Sequence, residues 1–105
     1  MQAETRGSNA NVCLPPQIDL TNSKEVKQSL LSLYESNYKH ITLDFSDVTI
    51  IDSSGISTLL LLQKKLTSCG GELIITNVNS SYVKKVFDML QLHKFIQIQE
   101  QQSVK

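Results

Sequence analysis

Residues 41–76 read ITLDFSDVTIIDSSGISTLLLLQKKLTSCGGELIIT, and the patterning of this stretch decides the fold class. Its opening, Ile41-Thr42-Leu43-Asp44-Phe45-Ser46, alternates apolar and polar residues, the two-residue period of a strand with one buried face. A turn is predicted at Ser46-Asp47, after which Val48, Ile50 and Ile51 lead into Asp52-Ser53-Ser54-Gly55. From about Ser54 to Ser68 the period becomes helical. Ile56, Leu59, Leu62 and Leu66 share one face, with Gln63 beside them and Leu60 on the flank. Gly70-Gly71 stops the helix, because glycine takes the left-handed cap conformation without steric cost. Glu72-Leu73-Ile74-Ile75-Thr76 then reads as a short buried strand.

Working outward, Asn22 to about Tyr38 carries Val26, Leu30 and Leu33 at helical spacing, with Leu31 and Tyr34 flanking and a capping-box-like start at Asn22 and Glu25. Before it, Val12-Cys13-Leu14 runs into Pro15-Pro16. That run predicts at best an edge strand, resuming through Gln17-Ile18-Asp19. Residues 1–11 have almost no apolar content and read as a disordered polar tail. On the other side, Ser80 or Asn79 caps a third helix with Val83, Val86, Phe87 and Leu90 on one face. Phe95-Ile96-Gln97-Ile98 reads as a last strand, and residues 100–105 as a polar tail. Alternation of strands and helices predicts one α/β domain over 12–99, with a mixed, mostly parallel sheet and helices packed mainly on one face.

Composition narrows the function classes. The chain has 105 residues, 40% hydrophobic and 19% charged, enough for one core. Ten basic residues balance ten acidic ones, and no basic cluster stands out, which argues against binding nucleic acid through its phosphates. The apolar runs are too short for membrane insertion. Cys13 and Cys69 form no CxxC pair, so neither a disulfide framework nor a zinc site is expected, and both read as small space-fillers. No signal peptide is visible, and the expected location is cytoplasmic.

Asp52-Ser53-Ser54-Gly55 is the stretch that carries chemistry. It falls where a strand hands over to a helix, next to backbone N–H groups and the positive end of the helix dipole. A phosphate on a serine there would be held by those donors without a metal. Gly55 would let a partner approach the backbone closely. The plainer alternative is that Ser53 or Ser54 is only an N-cap. A serine nucleophile is a third alternative, and a weak one. G-x-S-x-G is missing, and His40 and His93 have no acidic partner near them in sequence.

These residues carry a resemblance. From His40 to about Ile98 the chain resembles a STAS domain, the family of bacterial anti-sigma-factor antagonists and of cytoplasmic domains of sulfate transporters. The matching pieces are the 41–46 strand, Ile51-Asp52-Ser53-Ser54-Gly55-Ile56, Gly70-Gly71-Glu72-Leu73 and Val83-Lys84-Lys85-Val86-Phe87, in family order. In the antagonist branch the first serine of D-S-[ST]-G is phosphorylated, which maps to Ser53. The resemblance therefore implies a non-enzymatic partner-switching regulator without a cofactor. Unphosphorylated, it would bind an anti-sigma factor with serine kinase activity. Phosphorylation would release it, and a metal-dependent serine phosphatase would reset it. The family's other uses, an unphosphorylated subunit of a lipid-transport ATPase assembly or a nucleotide-sensing module, fit less well. Two serines are kept, and no Gly-rich phosphate loop is present.

The chain departs from the family pattern in three places. The usual first strand is short or lost, Gln91 stands where a glycine often ends the third helix, and Ser57 replaces a small glycine. On the second helix, the face opposite the core is expected to hold Ser54, Ser57, Thr58, Leu61, Lys65 and Ser68. With Asp52, Ser53 and Gly55, the residues Ser54, Ser57, Thr58 and Leu61 form the expected partner surface, Leu61 being its apolar contact.

Overall fold

Period-two burial builds the sheet. In the computed structural model, which describes residues 1–99, β1 (Gln2–Arg6), β2 (Asn9–Cys13), β4 (His40–Asp44), β6 (Glu72–Thr76) and β7 (Gln97–Ile98) form one sheet in the order β1-β2-β4-β6-β7. All its pairings are parallel except β1 with β2. Ala10, Val12, Ile41, Leu43, Leu73 and Ile75 are buried on one face. The intervening residues of β2 and β4, such as Asn11 and Thr42, turn to the other, more open face, where His40 Nδ1 meets Glu72 Oε2 at 3.1 Å. A second, two-stranded sheet pairs β3 (Gln17–Ile18) with β5 (Ile50–Ile51) in parallel.

The helices α1 (Ser23–Glu35), α2 (Ser53–Ser68) and α3 (Ser81–Met89) cover the buried face. They contribute Val26 and Leu30, then Ile56, Leu59, Leu62 and Leu66, then Val83 and Phe87. Phe45 and Phe87 meet edge to face, with centroids 5.5 Å apart. The end of α2 is built as the glycines demand. Gly70 has φ +82°, its N–H donates to Thr67 O at 3.2 Å, and Gly71 N–H donates to Leu66 O at 2.7 Å. This is the paired 5→2 and 6→1 closure of a Schellman cap.

Several expectations are corrected. Residues 1–11 are not a disordered tail: β1 and β2 make a hairpin with Gln2 opposite Cys13 and Arg6 opposite Asn9. Its two-residue turn is Gly7-Ser8, with positive φ (+60°) at Gly7 and not at Ser8, as a type II′ turn requires. All of β1 is exposed, so no apolar alternation marks it. The first strand is therefore present, and β2 is an inner strand, not an edge. Gln17-Ile18 does not resume it but pairs with β5. Asn22 precedes α1 without a side-chain cap bond; its amide instead bridges Asp19 N and Gln17 O. α1 ends at Glu35, and Asn37 follows in the left-handed region at φ 71°. Leu90 lies past the end of α3 and is exposed, and the last strand shrinks to Gln97–Ile98 behind a 3₁₀ turn at Leu92–Lys94. Cys13 and Cys69 are both exposed and free, so neither fills space in the core.

Gln91 adopts φ 52°, ψ 43°, the conformation a glycine would take freely. Left-handed backbone costs a residue with a Cβ about 1–2 kcal/mol. Gln91→Gly relieves this and gives up about 0.5–1 kcal/mol of chain entropy. The expected outcome is a melting temperature higher by roughly 3 °C, measured by thermal denaturation. An unchanged or lower value would mean that the glutamine side chain compensates.

Candidate functional site

Asp52 organises the start of α2. Its backbone is extended, its N–H donates to Ile18 O at 3.1 Å, and β3 thereby fixes where the helix begins. The carboxylate is the N-cap. Oδ1 accepts Ser54 N–H at 2.9 Å, Gly55 N–H at 3.3 Å and the Ser54 hydroxyl. Oδ2 accepts Leu20 N–H at 3.1 Å, tying the loop before α1 to the start of α2. Neither serine is the cap, since the aspartate takes that role. Two of the N–H groups expected to hold a phosphate on the serine are thus already occupied.

The two serines differ sharply. The Ser54 hydroxyl is committed to Asp52 and the residue is half-buried. Ser53 is exposed, and among the described residues its hydroxyl makes no hydrogen bond. Gly55 does not offer its backbone to a partner. It is buried, and a Cβ on it would stand 2.7 Å from Ile51 Cγ1 and 2.8 Å from Ile18 Cγ2. Its missing side chain lets α2 pack onto the β3–β5 pair.

Counting from the true helix start reassigns the α2 surface. Ser57 is exposed, as expected. Thr58 is only 7% exposed and donates to Ser54 O at 3.1 Å, so it faces inward. Leu61 is half-buried rather than fully exposed and lines an open cleft against α1 together with Ser54, Ser57 and Thr58. Lys65 lies on the same side, its Nζ 5.8 Å from the Tyr34 ring centroid. The exposed leucine is Leu60, seven residues after Ser53 and therefore on its face. Leu20, 81% exposed, and Ile50, 45% exposed, flank the same start of α2. Sequence reasoning missed Leu20 and Leu60. The seven-residue spacing from Ser53 marks Leu60, whereas Leu20 joins the site only through its N–H bond to Asp52.

The serine-nucleophile alternative lacks a base at His40. Glu72 N–H donates to Lys39 O at 2.8 Å, which puts His40 beside the end of α2 opposite Ser53. At about 1.5 Å per residue, α2 separates the two by roughly 24 Å.

Three carboxyls near this end of the molecule, Asp19, Asp44 and Asp52, are held below their ordinary value of 3.8, Asp19 chiefly by hydrogen bonds from Thr21. For Asp52 the Ser54 hydroxyl is the main cause, helped by the N–H groups of Gly55, Ser54 and Leu20 against a desolvation cost. For Asp44 desolvation pushes upward, and hydrogen bonds from Ser46, Asn77 and Cys13 outweigh it. Asp44 belongs to the strand end, where Asn77 Nδ2 and Ser46 N–H bind its Oδ1. A depressed carboxyl stabilises the fold fully above its unfolded pKa, and that contribution is lost as pH falls through the folded one. Stability is therefore expected to hold from neutral pH down to about pH 5 and to fall below it. Asp52→Asn flattens part of that fall and lowers the melting temperature at neutral pH. A parallel acid profile in the variant would remove Asp52 from this account.

A model of the STAS domain family matches residues 1–103, and the chain belongs to that family. The protein is 25% identical over 77 residues to the candidate anti-sigma factor antagonist BtrV of Bordetella bronchiseptica, a match covering 73% of this chain and 66% of that one. Among solved structures, a candidate anti-sigma factor antagonist from Thermotoga maritima superposes with a TM-score of 0.85 at 19% identity, over 96% of this chain and 86% of the other. The Bacillus cell fate determinant SpoIIAA in its phosphorylated form gives 0.74 at 19% identity, over 97% and 91%. The fold is that of the anti-sigma-factor antagonists. Among the described residues no helix is long and apolar enough to cross a membrane.

Proposed function

We propose that this chain is a cytoplasmic partner-switching regulator that binds an anti-sigma factor with serine kinase activity and lets go when Ser53 is phosphorylated. The observation that carries this reading is the contrast between the serines, Ser53 exposed and unengaged and Ser54 bonded to Asp52. In the transfer, Ser53 Oγ takes the γ-phosphoryl group of ATP, ADP departs and the hydroxyl proton passes to the kinase. A serine phosphatase reverses the switch by hydrolysis. The chain itself supplies no catalytic group and needs no cofactor.

The contact surface on this reading is the outer start of α2, Ser53, Ser57 and Leu60, with Leu20 and Ile50 beside it. Small apolar spots rimmed by hydroxyls suit reversible docking. A phosphate adds about −1.5 to −2 charges there, next to the Asp52 carboxylate. Release follows from repulsion and from the cost of burying that charge. The test uses full-length Ser53→Ala and Ser53→Asp chains as baits in extracts of the native cell. The alanine form is expected to retain a protein with kinase and anti-sigma sequence features that the aspartate form does not. The same proteins on both baits would overturn the reading.

A further inference from the structure

Two lysines sit where helix electrostatics disfavours them. Lys24 and Lys27 occupy the first two turns of α1, near its positive end, and at three-residue spacing they are neighbours on its surface. The positions three and four residues away hold Leu20, Thr21 and Gln28 for one, and Ser23, Leu30 and Leu31 for the other, so no acid stands at helix-neighbour spacing from either; Glu25, the acid of the first turn, lies between them in sequence but at a spacing that does not face them. Among the described residues neither lysine is in an ion pair. Both line an open cleft of about 490 Å³ between α1 and α2, whose α2 wall is Ser54, Ser57, Thr58 and Leu61. No carboxylate lines it. Unpaired like charges that break a local rule on the rim of a cleft point to an anion.

We propose that Lys24 and Lys27 receive the phosphate carried by Ser53. The inference rests on the reading of Ser53 as the phosphorylated residue. Ser57, in the cleft wall, lies one helical turn after Ser53, with Cβ atoms about 5–6 Å apart. Ser53 itself does not line the cleft, and the flexible four-carbon stems of the lysines would have to carry their ammonium groups out of it to the phosphate. The N–H groups of Ser54 and Gly55 do not serve, because Asp52 Oδ1 already holds them at 2.9 Å and 3.3 Å. Phosphorylation then does two things. It adds negative charge at Ser53 and draws the two ammonium groups away from the cleft.

The test places phosphoserine at position 53 during translation of the full chain and follows its second ionisation by ³¹P NMR. An unperturbed phosphoserine titrates near about pH 6. With both lysines present the value is expected to lie about half a unit to one unit below that of Lys24→Ala/Lys27→Ala. Lys24→Arg/Lys27→Arg is expected to keep the low value. Lys84→Ala/Lys85→Ala, which removes the same charge from α3, is expected to leave it unchanged. Asp52 is common to all four proteins, so the differences report the lysines. Equal titration with and without Lys24 and Lys27, or an equal shift in both alanine pairs, would overturn the proposal. Because translation installs the phosphate, the result does not depend on whether a kinase selects Ser53.

Discussion

Gly71→Ala is expected to destabilise the fold by about 3 kcal/mol, the upper part of the range for forcing an extra carbon into a packed site. A Cβ at this position would stand 2.3 Å from Lys39 O, 3.1 Å from its carbonyl carbon and 3.2 Å from its Cα. These are backbone atoms, and they cannot swing aside as a side-chain end would. The same carbonyl accepts Glu72 N–H at 2.8 Å where β4 and β6 begin their pairing. Any shift of Lys39 therefore disturbs the central pair of the sheet. Gly70→Ala is the informative control. A Cβ there meets nothing within 4 Å, but the residue has φ +82°. Only the left-handed backbone is penalised, at about 1–2 kcal/mol. Thermal or urea denaturation of the two variants should rank Gly71→Ala clearly below Gly70→Ala. Equal losses would show that cap conformation, not the close approach to Lys39, governs this corner.

Ser53→Asp is expected to weaken binding to the partner recovered by the alanine bait about 100-fold, which is about 2.8 kcal/mol at 1.4 kcal/mol per tenfold. The substitution places a carboxylate beside that of Asp52, among the exposed Leu20, Ile50 and Leu60. Burying that charge in such a contact is costly. The fold should not suffer. Ser53 is exposed and opens α2, and an acidic residue in the first turn of a helix is favoured by its dipole. Calorimetric titration and thermal melting on one variant therefore separate docking from folding. Lost affinity with an unchanged or slightly raised melting temperature is the expected pair. Retained affinity would move the contact away from Ser53.

How much of this was legible in the sequence follows from which side chains carry period. The 41–76 unit was legible because its strands bury every second residue and α2 buries every third or fourth. The glycine stop was legible because only glycine takes φ +82° freely. The hairpin at the start was not, because β1 is exposed along its whole length and shows no alternation. Its one signal was Gly7-Ser8, a turn pair between two polar runs. The cap was misassigned because Asp, Asn and Ser are near-equal N-caps. Its choice is made by the Ile18 carbonyl, 34 residues earlier in the chain, which fixes Asp52 N–H at 3.1 Å. The roles of Leu60 and Leu61 were exchanged for a related reason. Periodicity orders residues around α2 but does not say which flank α1 covers. Leu61 and Thr58 face the cleft on the α1 side, and Leu60 does not.

Mapping the phosphate tests the central claim most directly. The full-length chain is incubated with ATP and the kinase recovered as its partner, then digested and sequenced by mass spectrometry. The account predicts phosphate on Ser53 alone, with Ser54 protected by its bond to Asp52, and no incorporation into Ser53→Ala. Phosphate on Ser54 or Ser57, or undiminished incorporation into Ser53→Ala, would contradict it.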